Sequence, residues 1–139
     1  MKRRILLPAT LLLICASSCR TIGVSRNEGG FSEVAPTVAA EMMLDSSQVV
    51  VVDVRPAEEY RGPDGHIAGS LNAPFDSIER QLPELLPYQN QTLLVYGDTS
   101  TDGAVAAKLL TVAGFRNVVH IAGGIKGWIE RGYLTVNSQ

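Results

Sequence analysis

The sequence is poor in cysteine: two among 139 residues, Cys15 and Cys19, and no thiol after position 19. Two cysteines cannot build a disulfide framework or a four-thiolate zinc site. An excess of positive charge is also missing. Twelve Lys and Arg against fourteen Asp and Glu give a net charge of −2 and a pI near 5.6. That balance lacks the basic footprint of a nucleic-acid binder. There is no internal repeat and no low-complexity segment. The N-terminal apolar stretch Ile5–Ile14, interrupted by Pro8 and Thr10, is about half the ~20 residues a membrane-spanning helix needs. What remains is a globular composition, 45% hydrophobic and 19% charged with 13 Gly, of a length that suits one domain.

The first residues read as an address. Lys2, Arg3 and Arg4 precede the short apolar run, and small residues Ala16, Ser17 and Ser18 follow it, the order of a secretory signal. Ala16-Ser17-Ser18-Cys19 resembles a bacterial lipoprotein box. The resemblance implies a signal peptide over residues 1–18, acylation of Cys19, and a lipidated tether over residues 19–30. Several acyl chains at about 0.8 kcal/mol per buried methylene anchor stably where one does not. Arg20 rather than Asp follows the cysteine, which in a Gram-negative organism favours the outer membrane. The expected location is the cell envelope, lipid-anchored on the periplasmic or extracellular side. Ordinary signal-peptidase cleavage, leaving a soluble periplasmic protein, is the alternative. Either cleavage removes three of the 12 basic residues and none of the 14 acidic ones. The side-chain charge of the mature chain is then −5, so lipid rather than a basic patch would have to hold it to an anionic membrane.

The body alternates strand and helix. Val49–Val54 is a continuous β-branched run apart from Asp53, and Thr92–Tyr96 and Asn117–Ile121 are similar; such runs suit strands buried on both faces. Ser70–Asn72 is a weaker strand. A helix is predicted over Pro36–Leu44, burying Val38, Met42 and Met43. A second covers Ala104–Ala113, with Val105, Leu109 and Val112 on one stripe and Ala106 and Leu110 beside it. Gly114 closes it, as a glycine after a helix does. Ile78–Leu86 is helical but broken by Pro83. A short helix runs from Gly127 to Arg131 and ends at Gly132. The expected fold is a three-layer α/β domain over residues 31–136, its central, mostly parallel sheet covered by helices on both faces.

Three segments carry a family resemblance. Asp53-Val54-Arg55 leads to Glu59-Tyr60; Gly65-His66-Ile67-Ala68-Gly69-Ser70-Leu71-Asn72-Ala73-Pro74 follows; Gly123-Gly124-Ile125-Lys126-Gly127-Trp128 closes the body. In this order and spacing they resemble the rhodanese homology domain. Asp53, Arg55, Glu59, His66, Gly69, Asn72, Gly123, Gly124 and Trp128 are its structural motif positions. Asp53 and Arg55 at a strand end can fix the loop that follows. His66 in a glycine-flanked turn reads as a hydrogen-bonding scaffold, and Trp128 as the core anchor of the last helix. A metal site has no support, because His66 and His120 are far apart in sequence with no cysteine partner.

The resemblance also implies where chemistry would lie. The family's six-residue loop after the central strand begins with a cysteine that carries sulfur as a persulfide, and usually ends in arginine. Here that loop is Gly97-Asp98-Thr99-Ser100-Thr101-Asp102. Glycine has no nucleophile, and a hydroxyl at Thr99 or Ser100 cannot form a persulfide. Asp98 and Asp102 place negative charge where an anionic sulfur donor would approach. Asp102 or Thr101 reads as the N-cap of the next helix. The loop is therefore expected to have no catalytic residue and no cofactor. It is expected to be a polar turn, or a small pocket for a neutral or cationic ligand or a partner's basic side chain. Three functions follow: a non-catalytic binding or scaffolding module for an envelope protein or small ligand, a thiosulfate or persulfide sulfurtransferase, or a structural lipoprotein. Nucleic acid is not an expected partner.

Overall fold

The computed structural model describes residues 25–26 and 30–137. The signal sequence and Cys19 lie outside the described residues. The elements, in order, are β1 (Ser25–Arg26), β2 (Ser32–Val34), α1 (Pro36–Asp45), β3 (Val49–Asp53), α2 (Ala57–Tyr60), β4 (Leu71–Asn72), α3 (Ile78–Leu85), β5 (Thr92–Tyr96), α4 (Ser100–Val112), β6 (Asn117–Ile121) and α5 (Gly124–Glu130). The sheet order is β1-β2-β6-β5-β3-β4. Five strands are parallel, and β1 is antiparallel to β2 at the edge. β1 falls within the span expected to be tether.

Alternation along the strands builds two cores. Leu93 and Val95 of β5 face α3 and α4 through Ile78, Leu85, Ala106 and Leu110. Leu94 and Tyr96 face α1 and α5 through Ala39, Ile125 and Trp128. A fully buried aliphatic side chain contributes about 1.5–3 kcal/mol, so the β-branched runs hold three layers together without long helices.

Several helix details differ from expectation. α4 begins at Ser100 rather than Ala104, so its buried face is Gly103, Ala106, Ala107 and Leu110. Val105 and Val112 are exposed and Leu109 is only half-buried. The N-cap is Thr99, whose side chain makes no capping bond; Thr101 and Asp102 belong to the first turn. α5 begins three residues early, at Gly124, because Gly123 and Gly124 take positive φ, 78° and 59°, and turn the chain directly out of β6. α3 runs through Pro83 without a break, followed by a 3-10 turn over Leu86–Tyr88. On α1 the fully buried residues are Pro36 and Ala39, while Val38, Met42 and Met43 pack half-buried against the core.

Candidate functional site

Asp53, Arg55 and Asn72 gather at the C-terminal end of β3 beside the loop after β5, where an open α/β sheet places its sites, whereas Gly69 lines a separate hollow with Val49 and Val50 at the start of β3. Asp53 ends β3 and is fully buried; Arg55 follows two residues later and is also buried. Their side chains meet directly. Arg55 Nη2 lies 2.6 Å from Asp53 Oδ2 and Nε lies 3.0 Å from Oδ1, a two-point fork that fixes orientation as well as charge. The Arg55 amide also donates to Asp53 Oδ1 at 2.9 Å, and Nη2 donates to the Gly65 carbonyl at 2.7 Å. Asn72 Nδ2 donates to the carbonyls of Asp53 (3.2 Å) and Arg55 (2.9 Å). Burial works to lower the guanidinium pKa, but the hydrogen bond and charge of Asp53 outweigh it, and the net shift is upward.

Around this pair the scaffold is satisfied by internal bonds. His66 stacks on Tyr60 with ring centroids 3.7 Å apart, and its Nδ1 lies 3.0 Å from the Tyr60 carbonyl. These two contacts tie the His66 ring to the backbone and side chain of α2. Tyr96, at the end of β5, has no separate signal in the sequence. It is fully buried, and its hydroxyl accepts the Ile67 N–H at 3.0 Å and sits 3.3 Å from Ser70 Oγ. Burial, helped by the nearby Asp53 charge, pushes its pKa well above the ordinary tyrosine value. Trp128 is buried, and its Nε1 donates to the Leu134 carbonyl at 3.1 Å. Gly69 has φ 77° in an open turn with space around it.

The loop after β5 is packed closely from two sides. A β-carbon on Gly97 would stand 3.0 Å from the Gly103 amide nitrogen and 3.2 Å from Asp102 Cβ. Gly124 lies against the loop backbone, where a β-carbon would meet Gly97 O and stand 2.7 Å from Thr99 O. The carbonyl of Gly97 accepts the Ile125 N–H at 2.9 Å, and Ser100 Oγ accepts the Gly123 N–H at 2.8 Å. One loop hydroxyl is therefore committed to the scaffold.

The two loop carboxylates do not converge. Asp98 lines a hollow of about 340 Å³ with Arg55, Glu58, Glu59, Asp64 and Lys126. Asp102 lines a different one, about 190 Å³, with Val54, Pro56, Phe75 and Asp76. Asp98 is also paired: Lys126 Nζ lies 2.6 Å from its Oδ2, and that bond and charge raise the lysine pKa. The expected repulsion of anions by two loop carboxylates is therefore reduced to one unpaired group facing elsewhere. Lys126 stands inside the Gly-Gly-Ile-Lys-Gly-Trp motif, but no pattern in the sequence pairs it with Asp98. Among the described residues no three His, Cys, Asp or Glu side chains converge as metal ligands.

Below the loop lies His120 of β6, also fully buried. Its Nδ1 is 2.9 Å from Glu33 Oε2, so that nitrogen carries the proton, since a carboxylate can only accept. Nε2 has no hydrogen-bond partner and faces Gly103, where a β-carbon would stand only 2.8 Å away.

Comparison with known proteins matches this geometry to a family. The profile of the Rhodanese-like domain covers residues 35–131. YibN of Escherichia coli K12, itself uncharacterized, is 31% identical over 90 residues, 64% of this chain and 62% of YibN. This chain thus spans less than two thirds of that relative. The thiosulfate sulfurtransferase PspE of Escherichia coli K12 is 29% identical over 75 residues, covering 54% of this chain and 69% of PspE. Among solved structures, a rhodanese-related protein from Thermoplasma volcanium superposes with a TM-score of 0.67 at 27% identity, covering 76% of this chain and 98% of that one.

Proposed function

Because the chain belongs to the Rhodanese-like domain family, we propose that it is a catalytically silent member, held to a membrane of the cell envelope through lipid on Cys19 and acting as a binding or scaffolding module. The observation that carries the silent reading is Gly97: the position from which the family's sulfur-carrying thiol would project has no side chain, and Gly103 N and Asp102 Cβ crowd the place where a β-carbon would be. No cysteine follows position 19, so no second thiol can take the role. The hollow beside Asp98 supports binding instead. Glu58, Glu59 and Asp64 surround it with Arg55 and Lys126, and Arg55 is already neutralised by Asp53. The remaining carboxylates favour a cation or a basic side chain of an envelope protein over an anionic sulfur donor.

The second reading is a thiosulfate or persulfide sulfurtransferase, favoured by similarity to PspE. One assay separates the two. Protein purified without residues 1–19 is incubated with thiosulfate and cyanide, and thiocyanate is measured. Silence predicts the uncatalysed rate; turnover above it would establish the transferase. Replacing Cys19 by Ser should move the full-length protein from the membrane to the soluble fraction, and unchanged fractionation would remove the anchor.

A further inference from the structure

Among the described residues one buried side-chain nitrogen has no hydrogen-bond partner, Nε2 of His120. The ring is held from one side only. Its Nδ1–H donates to Glu33 Oε2 at 2.9 Å, and the Glu33 side chain is 42% exposed. The other edge of the ring lies against Gly103, where a β-carbon would stand 2.8 Å from Nε2 and 2.9 Å from Cδ2. Buried polar atoms are ordinarily paired, and one that is not marks strain or a working group.

A second proton on this ring is pulled two ways. The Glu33 carboxylate favours it, because an opposite charge in contact stabilises the imidazolium. Burial opposes it, and so does the helix above. An N–H formed at Nε2 meets no acceptor there. Gly103 belongs to the first turns of the 13-residue α4, whose N-cap Thr99 makes no side-chain capping bond, so the positive end of the helix dipole sits beside the ring. Other charges around the ring are few. β5 places Val95 opposite His120, and Phe31 meets the ring edge-on with centroids 6.3 Å apart. The charged residues of α4 are Asp102, next to Gly103, and the exposed Lys108 further along. In the loop before α4, Asp98 is paired with Lys126. On β1, which flanks β2, the charged residue is Arg26, in register with Ser32.

The segment over Nε2 is tied to the rest of the loop cluster by a few bonds. Ser100 Oγ accepts the Gly123 N–H, and Lys126 Nζ donates to Asp98 Oδ2; both bonds are exposed. The Lys126 N–H reaches the Asp98 carbonyl at 3.3 Å. The bond from Ile125 N to Gly97 O lies behind them, directly after β5. Lifting residues 98–102 therefore breaks three bonds and lets Nε2–H donate to water, while the Glu33 bond on the other side of the ring persists. The same movement separates Asp98 from Lys126 at the hollow that both line.

We propose that His120 is a proton-operated switch beneath the loop: with Nε2 unprotonated the start of α4 rests on the ring, and with both nitrogens protonated residues 98–102 lift and the Asp98–Lys126 pair opens. The switch does not depend on what the hollow binds. The test uses the full-length protein, labelled with 15N and 13C and followed by NMR from about pH 8 to about pH 5, the range in which histidines change charge. The chain has two histidines, so His120→Asn, whose amide can still donate to Glu33, assigns the His120 ring signals by their loss. In the unmodified protein the His120 ring and the amides of residues 98–103 should shift together with one midpoint, while the amides of Leu93, Leu94 and Val95 stay in place. His120→Asn should abolish the loop transition. Glu33→Gln removes the charge that favours the second proton and should move the shared midpoint to lower pH. Because Glu33 is half-exposed, that variant serves even where His120→Asn fails to fold. A His120 ring that keeps one protonation state throughout overturns the switch. So do loop amides that move at a midpoint other than that of the ring, a midpoint that Glu33→Gln leaves unchanged, or loss of all amides together, which is global unfolding.

Discussion

Gly103 lies directly over the His120 ring: a β-carbon at position 103 would stand 2.8 Å from Nε2 and 3.0 Å from the Gly97 amide nitrogen. Alanine in place of a mid-helix glycine ordinarily gains about 1 kcal/mol. Here the imidazole cannot recede, because it is fully buried and held by Glu33. Gly103→Ala should therefore destabilise the domain, by about 1–3 kcal/mol as overpacked cores do. His120→Ala removes the obstruction, so the double variant should lose less than the two single losses added together. Urea midpoints measure all three, and a stabilised Gly103→Ala would show that the site has room.

Tyr96 predicts a loss of stability in alkali. Its folded pKa is raised by burial and by Asp53, so the neutral phenol is favoured in the fold. The stabilising effect is complete below the unfolded tyrosine pKa of about 10 and declines as pH rises past it toward the higher folded value. In that window the unfolded chain loses a proton that the folded chain keeps, a slope of about 1.4 kcal/mol per pH unit. Tyr96→Phe should flatten this decline. It should also lower stability near neutrality by about 1–3 kcal/mol, because the Ile67 amide loses its acceptor. Denaturation midpoints from pH 8 to pH 11 would test this, and equal slopes for the two proteins would contradict it.

The buried Asp53–Arg55 pair should behave as a unit. Asp53→Asn leaves a buried guanidinium without its counter-charge, which costs about 3–5 kcal/mol in comparable pairs. Arg55→Met leaves the carboxylate in the same position. Replacing both should cost clearly less than the two single changes added together. Additive losses in a double-mutant cycle would mean that each residue is held by its other bonds, to Gly65 and the local backbone, rather than by its partner.

Much of this arrangement was legible because it is written in contiguous stretches of the chain. The β-branched runs at Val49, Thr92 and Asn117 gave three central strands, and the spaced motif residues gave Asp53, Arg55, Asn72 and His66 their shared neighbourhood. Features that depend on distant contacts were not legible. Ser32-Glu33-Val34 has no apolar run and is a strand because β6 pairs with it on one side and β1 on the other. Ser100-Thr101-Asp102 has turn composition, yet it forms the first turn of α4 because Gly103 lets the helix sit on His120. Asp98 and Lys126 are 28 residues apart, and only the packing of α5 against the loop joins them.

That join sets the charge of the hollow. Lys126→Met should leave Asp98 unpaired beside Glu58, Glu59 and Asp64, and binding of an arginine-rich peptide should tighten. Asp98→Asn should weaken it, and added salt should weaken both, since exposed charges are screened. Fluorescence anisotropy with a labelled peptide reads the order of affinities. The reverse order, or no difference, would remove this hollow as the basic-side-chain site.

Gly97→Cys asks whether the loop keeps the family's geometry without its chemistry. Gly97 does not use a left-handed backbone conformation, so a cysteine is permitted there. Its β-carbon would stand 3.0 Å from Gly103 N, and the first turn of α4 must yield by a few tenths of an ångström. Its thiolate would lie near the N-terminus of this 13-residue helix, where the dipole favours negative charge. Asp102→Arg would also remove the one loop carboxylate that Lys126 does not pair. In the double variant the thiolate should attack the outer sulfur of thiosulfate, forming the new S–S bond of a persulfide as the old S–S bond breaks and sulfite leaves. Mass spectrometry should then show one added sulfur atom, lost again to cyanide, while the unmodified protein gains none. A folded double variant that never takes up sulfur would mean that position 97 does not occupy the nucleophile's place.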